Sequence, residues 1–133
     1  MPTFYSYLLV GIGSALGGMA RHWTTTLVAS RWGMGFPWGT LAVNVAGSLL
    51  IGVLAAGLVP GVRSELSLPA RELLIVGVLG GYTTFSAFSL QTFMLLQQGD
   101  WLRAGANVAL SIVLCLAAVS LGYFIATSVL RAG

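Results

Sequence analysis

The fold is decided by a stretch that contains no charged side chain, residues 104–130, which reads AGANVALSIVLCLAAVSLGYFIATSVL. Three further stretches share this property, residues 1–20, 32–62 and 73–99. Each stretch reaches the roughly 20 residues that a helix needs to cross the ~30 Å hydrocarbon layer of a bilayer. We therefore predict an all-α membrane protein with four transmembrane helices, over residues 4–28, 38–58, 73–96 and 102–130.

The composition of the whole chain supports this class. Hydrophobic residues make up 57% of the 133 residues and charged residues only 7%, whereas soluble domains devote about 25% to charged side chains. The connections between spans are too short to hold another domain, so residues 1–133 form a single transmembrane domain, expected in the cell inner (plasma) membrane. The single cysteine and single histidine exclude disulfide and zinc scaffolds. The arginines are too few and too scattered for nucleic-acid binding.

The six arginines divide evenly between the two ends of the predicted spans. One end carries Arg63, Arg71 and Arg131, and the other carries Arg21, Arg31 and Arg103. Orientation is normally fixed by an excess of Lys and Arg in the cytoplasmic loops. The even count therefore favours insertion in both orientations, with two oppositely inserted copies pairing as an antiparallel homodimer. The alternative is that one arginine, or the N-terminal amine, still sets a single orientation.

The third predicted span contains a sequence that disfavours a continuous helix. Residues 77–89 read GVLGGYTTFSAFS, with Gly-Gly followed by Thr-Thr near the middle of the span. Glycine costs about 1 kcal/mol relative to alanine inside a helix, and threonine is β-branched. We predict a break here, whose freed backbone groups must be buried in protein or coordinate a ligand. The alternative is an ordinary kink, with hydroxyls bonded to the preceding turn.

Uncharged polar side chains form stripes along three of the predicted spans. Thr40, Asn44 and Ser48 are spaced i, i+4, i+8, and Asn107 and Ser111 repeat the i, i+4 spacing, so each set lies on one helical face. A single serine or threonine usually only joins helices, but several stripes indicate a polar path. Hydroxyl groups, amide N–H groups and the positive edges of phenyl rings suit a small anion. The predicted spans contain no acid or lysine to relay protons or attract cations.

Three motifs in the same order resemble the Fluc (CrcB-type) fluoride channel family. They are GGMARHW at residues 17–23, WGTLAVNVAGS at 38–48 and GGYTTFSAFS at 80–89. The resemblance extends over all four spans. It implies a passive, fluoride-selective channel that exports fluoride down its electrochemical gradient, built as a dual-topology, antiparallel homodimer with two pores.

The resemblance also implies roles for individual residues. It places the fluoride pore at Asn44, Phe85, Phe88, Thr84 and Ser111, and Thr40 joins them through the stripe it shares with Asn44. It places Arg21 in a vestibule; from the residues alone, Arg21 either snorkels to the headgroups or attracts anions there. It implies a structural Na⁺ at the dimer centre, held by backbone carbonyls of Gly80 and Thr83. The sequence departs from the family at Asn107, where a Tyr or His is common, and at Tyr82, where a smaller aliphatic residue is expected.

Two other kinds of membrane protein share the small four-span architecture. A small dual-topology multidrug transporter carries an acidic residue inside its first span, and residues 1–20 contain none. A non-transporting assembly subunit would explain the glycines, but it gives no use to the polar stripes or to the broken span. An enzyme is excluded because no Ser–His–acid set, paired carboxylates or metal-ligand cluster can be assembled from these residues.

Overall fold

The computed structural model describes residues 1–58 and 66–132. This part of the chain consists of helices and short connections, without a β-strand. In chain order the helices are α1 (Phe4–Trp32), α2 (Trp38–Ala56), α3 (Leu68–Arg71), a π-helical segment (Glu72–Leu79), α4 (Gly80–Tyr82), α5 (Phe85–Gln97) and α6 (Trp101–Ala132). Most of the connection expected between the second and third spans, including Arg63, lies outside the described residues.

Local signals at the helix ends explain where the helices differ from the predicted spans. α1 continues past residue 28 because its first stop signal is Gly33, which has a φ of 78° and donates its N–H to the Ala29 carbonyl at 2.9 Å. α5 likewise ends before Gly99, with a φ of 75°. α6 begins at Trp101, and the Asp100 carboxylate accepts a hydrogen bond from the Arg103 N–H at 3.1 Å in its first turn.

Within residues 1–58 and 66–132, three helical segments are long and apolar enough to cross a membrane. They are Trp38–Ala56, the interrupted segment Leu68–Gln97 and Trp101–Ala132. α1 is long enough, with 29 residues. It is not among these three because it is less apolar than they are. The first predicted span is therefore present as a helix and is the most polar of the four.

The third segment is not a uniform α-helix. It starts as α3, continues as eight π-helical residues and returns to an α-turn at Gly80–Tyr82. Thr83 and Thr84 are then extended, with φ/ψ of −82°/160° and −155°/115°, before α5 begins at Phe85. The break that the sequence predicts in this span is present. The π-helical turns before it were not predicted.

Glycines allow α1 to lie directly against the backbone of the third segment. A Cβ atom added to Gly13 would lie 2.5 Å from the Leu73 carbonyl oxygen and 2.8 Å from the Gly77 Cα. A Cβ at Gly81 would lie 2.5 Å from the Ser14 carbonyl oxygen. Such close approach is how helices associate in lipid, where hydrophobic drive between helices is weak. α1 thereby supports the segment on both sides of Gly77.

α2 and α6 pack together through a second pair of glycines. A Cβ on Gly52 would collide with the backbone of Val119, and a Cβ on Gly122 would collide with the backbone of Leu49. Both glycines are buried. The chain thus consists of two closely packed helix pairs, α1 with the third segment and α2 with α6, and the break lies between them.

We expect Gly13→Ala to destabilise the folded protein. The new methyl group has no room against Leu73 and Gly77, and overpacking of this kind costs about 1–3 kcal/mol. The measurement is the thermal unfolding midpoint of the purified protein in detergent.

Gly11→Ala is the matched control, because a Cβ at Gly11 meets no atom within 4 Å. Its midpoint should stay unchanged or rise, since alanine favours a helix by about 1 kcal/mol over glycine. Equal loss of stability in both variants would contradict the close packing at Gly13.

Candidate functional site

The break itself is made by the two threonines, and the two glycines before it stay helical. The Thr83 N–H still donates to the Leu79 carbonyl at 3.0 Å, and the Thr83 hydroxyl donates to the same carbonyl at 2.9 Å. The Thr84 hydroxyl accepts a hydrogen bond from the Ala87 N–H at 3.2 Å and so caps the N-terminus of α5. The hydroxyl-to-preceding-turn bond expected of a simple kink therefore coexists with a true interruption.

Asn44 on α2 pairs with the backbone of the break through both ends of its amide. Its Nδ2 donates to the Thr84 carbonyl at 3.0 Å, and its Oδ1 accepts from the Thr84 N–H at 2.8 Å. These are the two backbone groups that a continuous helix would have satisfied. Asn44 therefore replaces helical hydrogen bonds of Thr84 with side-chain hydrogen bonds, and one Nδ2 hydrogen is left for another acceptor.

Arg21 on α1 reaches the other residue of the break. Its Nη1 donates to the Thr83 carbonyl at 3.2 Å, and the residue is half-buried. The guanidinium therefore bonds the backbone of the break, and its role in a vestibule stays a prediction. Tyr82 adds a further contact between the same elements, since its hydroxyl lies 3.3 Å from the Thr24 hydroxyl on α1.

Most of the predicted pore and ion-site residues line one cavity of about 410 Å³, here named the phenylalanine cavity. Those residues are Asn44, Gly80, Thr83, Thr84, Phe85, Phe88 and Ser111. They come from α2, from the contiguous run of α4, the break and α5, and from α6, so three separate stretches of the sequence meet there. The side chains among them are hydroxyls, an amide and two phenyl rings, and no ionisable carboxylate, guanidinium or amine lines this cavity within the described residues.

The two phenylalanines lie side by side at the start of α5. Their ring centroids are 5.4 Å apart and the ring planes are tilted by 47°. Phe88 is half-buried, whereas the Phe85 side chain is 78% exposed on the isolated chain. The i, i+3 spacing therefore brings both rings to the same cavity, with one of them on an open surface.

The remaining two predicted site residues line a second cavity of about 570 Å³, here named the arginine cavity. Arg21 and Thr40 lie in its wall with Thr84, which also lines the phenylalanine cavity. His22, Thr25, Ser86 and Gln91 complete its polar lining. No acidic side chain of the described part of the chain contributes to it. Thr84 thus lines both cavities, and a positively charged side chain lies in the wall of the arginine cavity only.

The structure adds residues that the sequence did not single out for a pore. Cys115 lines the phenylalanine cavity one helical turn beyond Ser111, and the i, i+4 repeat that joins Asn107 to Ser111 could have been extended to it. Gln91 lines the arginine cavity, and its Oε1 atom is buried without a hydrogen-bond partner among the described residues. Asn107 lines neither cavity.

Comparison with known proteins gives the family. Residues 8–123 match the family model described as CrcB-like protein, Camphor Resistance (CrcB). The chain is 50% identical over 123 residues to the fluoride-specific ion channel FluC of Methylocella silvestris, covering 92% of this chain and 94% of that one. It is 52% identical over 120 residues to the protein of the same name from Opitutus terrae, covering 90% and 91%.

A third relative extends the match further along the chain. The fluoride-specific ion channel FluC of Paramagnetospirillum magneticum is 48% identical over 128 residues, covering 95% of this chain and 98% of that one. These relatives are named ion channels, which agrees with the expectation that the chain is no enzyme. The resemblance noted in the three motifs is confirmed, and the chain belongs to the CrcB family of multi-pass membrane proteins.

Proposed function

We propose that this protein is a passive, fluoride-selective ion channel, which releases fluoride from the cell down its electrochemical gradient. The observation that carries this proposal is the interrupted third segment, where uncharged hydrogen-bond donors and two phenyl rings converge on the phenylalanine cavity. The names of the relatives, all fluoride-specific ion channels, support the same function. We place the channel in the cell inner (plasma) membrane.

Fluoride is small and strongly hydrated, so a pore must replace its lost water with donors. The free Nδ2 hydrogen of Asn44 and the hydroxyls of Thr84 and Ser111 supply donors around the cavity. The positive ring edges of Phe85 and Phe88 supply further favourable electrostatics without a formal charge. Larger halides gain less from each donor contact and fit a narrow path less well, which gives selectivity.

Arg21 and Thr40 belong to the approach to this path. Both line the arginine cavity, and Thr84 lines this cavity and the phenylalanine cavity alike. A positive wall without acidic side chains raises the local concentration of anions. Arg21 therefore acts as the vestibule residue, and Thr40 donates from its hydroxyl where the anion passes toward Asn44, one turn further along α2.

The channel is proposed to work as an antiparallel, dual-topology homodimer with two pores. The even division of arginines supports insertion in both orientations. The exposure of the Phe85 ring at the mouth of the phenylalanine cavity supports a partner surface there, because one chain alone leaves this wall open. A second copy would close each cavity into a path.

A structural Na⁺ at the dimer centre would be held by the backbone carbonyls of Gly80 and Thr83. The Gly80 carbonyl accepts no hydrogen bond within residues 1–58 and 66–132, because the Thr84 N–H that would have reached it bonds Asn44. The Thr83 carbonyl accepts one bond from Arg21 and keeps its second lone pair. Carbonyls at the C-terminal end of a helical segment, such as that of Gly80, and carbonyls of unwound residues, such as that of Thr83, are suitable ligands for Na⁺. The ion would offset their dipoles and would not be transported.

The alternatives are less favoured by the same residues. A small multidrug-type transporter needs an acidic residue to bind a cation and protons, and neither cavity has one among the described residues. A non-transporting assembly subunit has no need for the polar cavity at the break.

We expect the purified protein, reconstituted in liposomes, to release fluoride and retain chloride when valinomycin and K⁺ clamp the membrane potential. Selective donors around the path are the physical reason. A fluoride-selective electrode and a chloride electrode measure the two effluxes from matched liposomes. Protein-free liposomes are the control for leakage, and equal release of both ions, or of neither, would overturn the proposed function.

Phe85→Ile should lower fluoride flux by up to about tenfold, because it removes a ring edge, taken as worth about as much as an aromatic pair, roughly 0.5–1.5 kcal/mol, while keeping apolar bulk. The measurement is fluoride efflux from liposomes at equal protein content, with the dimer checked by size-exclusion chromatography. Phe93→Ile is the matched control, since Phe93 is also exposed on α5, with 57% of its surface accessible, but lines neither cavity. Unchanged flux in Phe85→Ile would remove that ring from the pore.

Asn44→Asp should lower both fluoride flux and stability. The carboxylate can still accept from the Thr84 N–H, but it turns an oxygen toward the Thr84 carbonyl, where Nδ2 now donates at 3.0 Å. Loss of that buried bond costs about 1–3 kcal/mol, and the negative charge opposes an anion. Efflux and the thermal unfolding midpoint are measured together. A variant that conducts fluoride faster than the native protein would contradict the assignment of Asn44.

A further inference from the structure

The side chain of Asn107 on α6 is almost completely buried, with 1% of its surface exposed. A buried amide in an otherwise apolar helix is costly unless it is hydrogen-bonded. We propose that Asn107 is a positioning residue for the channel: it holds α5, the helix that carries Phe85 and Phe88, in the orientation that the pore requires. The effect of Asn107 on fluoride conduction rests on the proposed function, whereas its effect on the orientation of α5 rests on the hydrogen bonds alone.

A two-step hydrogen-bond chain connects Asn107 to the phenylalanine helix. The Asn107 Nδ2 donates to the Thr92 hydroxyl at 2.9 Å, and the Thr92 hydroxyl donates to the Phe88 carbonyl at 2.8 Å. Thr92 uses its single hydroxyl hydrogen toward Phe88 and a lone pair toward Asn107, so the two bonds are compatible. The chain runs from the buried face of α6 to the backbone of Phe88.

The hydrogen bonds from Asn107 through Thr92 to Phe88 fix α5 at a second point along its length. Asn44 holds the residue before α5 through both backbone groups of Thr84, and Asn107 holds Thr92 two turns later. Phe85 and Phe88 lie between these two attachment points. With both points held, α5 cannot roll about its axis, and the direction of the two rings is set.

The surroundings of Asn107 distinguish this role from direct contact with the anion. Asn107 lines neither cavity, whereas Ser111, one turn further along the same helix, lines the phenylalanine cavity. Its Nδ2 is directed to Thr92 on the neighbouring helix. The family resemblance leaves the role of this position open, since a Tyr or His is common there, and the geometry points to α5.

The experiment compares Asn107→Leu, Thr92→Val, the double variant and Thr92→Ser in the full-length protein. Phe88 is replaced by 4-fluorophenylalanine in each, and its ¹⁹F resonance reports the ring environment whether or not the protein conducts. Single-channel fluoride current in planar bilayers is recorded in parallel, on the same variants without the label. Ser120→Ala is the matched control on α6, because the Ser120 hydroxyl bonds only the Leu116 carbonyl of its own helix.

We expect Asn107→Leu and Thr92→Val each to shift or broaden the Phe88 resonance and to lower the fluoride current by about tenfold, the equivalent of one buried hydrogen bond. The double variant should be no worse than either single variant, because both break the same chain. Thr92→Ser keeps the hydroxyl and should restore the resonance and the current. Ser120→Ala should resemble the native protein.

Three results would overturn the proposal. An unchanged Phe88 resonance in Thr92→Val would show that the chain does not orient the ring. Additive effects in the double variant would separate the two residues. Loss of current in Asn107→Leu with normal current in Thr92→Val would make Asn107 a direct contact of fluoride.

If Asn107→Leu does not fold, the Thr92→Val and Thr92→Ser pair decides alone. A native protein without fluoride current would refute the proposed function, and the ¹⁹F comparison would still test the positioning role.

Discussion

The structure depends on one constraint: in the hydrocarbon layer of a membrane, every backbone N–H and C=O must find a partner inside the protein. The extended residues Thr83 and Thr84 interrupt a segment otherwise long enough to span the bilayer. The Thr83 N–H keeps its bond to Leu79, but the Thr83 carbonyl and the backbone groups of Thr84 need partners from other helices. Asn44 satisfies both groups of Thr84, and Arg21 satisfies the carbonyl of Thr83. Because these partners come from α1 and α2, the break forms only when the helices are assembled around it. The site and the fold are therefore stabilised by the same contacts.

The way the helices pack follows from the same constraint. The side chain that holds the break from α1 is Arg21, which must reach the Thr83 carbonyl directly. α1 therefore has to lie close to the third segment. Gly13 and Gly77 permit that approach, since a methyl group on Gly13 would lie within 3 Å of backbone atoms. Gly81 serves this packing as well, because it lies against the backbone of Ser14. The glycines that suggested a weak helix in the sequence thus bring a neighbouring helix close, and the threonines after them make the interruption.

The sequence predicted the class of protein and the location of the break, because charge-free stretches and a Gly-Gly-Thr-Thr run depend only on local composition. It did not predict that Asn44 bonds the backbone of Thr84, since that contact joins residues 40 positions apart. For the same reason the spacing of Asn107 and Ser111 placed them on one face of α6 without showing that Asn107 is directed to α5. The first span is longer than predicted because its stop signal is Gly33, and its arginine and histidine do not end the helix.

The described lining of the phenylalanine cavity has no charged side chain. This suits the proposed channel, because an anion that is conducted must also be released. A fixed cation about 4 Å from an anion attracts it by about 4 kcal/mol at an effective dielectric constant of 20, and that much extra binding slows release by roughly a thousandfold. Neutral donors each contribute less, and several of them can hand the anion from one to the next. Arg21 lines the arginine cavity, where its bond to Thr83 anchors the guanidinium to the wall, and in the proposed channel it attracts anions there. In the proposed channel, the charged side chain at the approach therefore attracts the anion, and the neutral donors at the break let it pass.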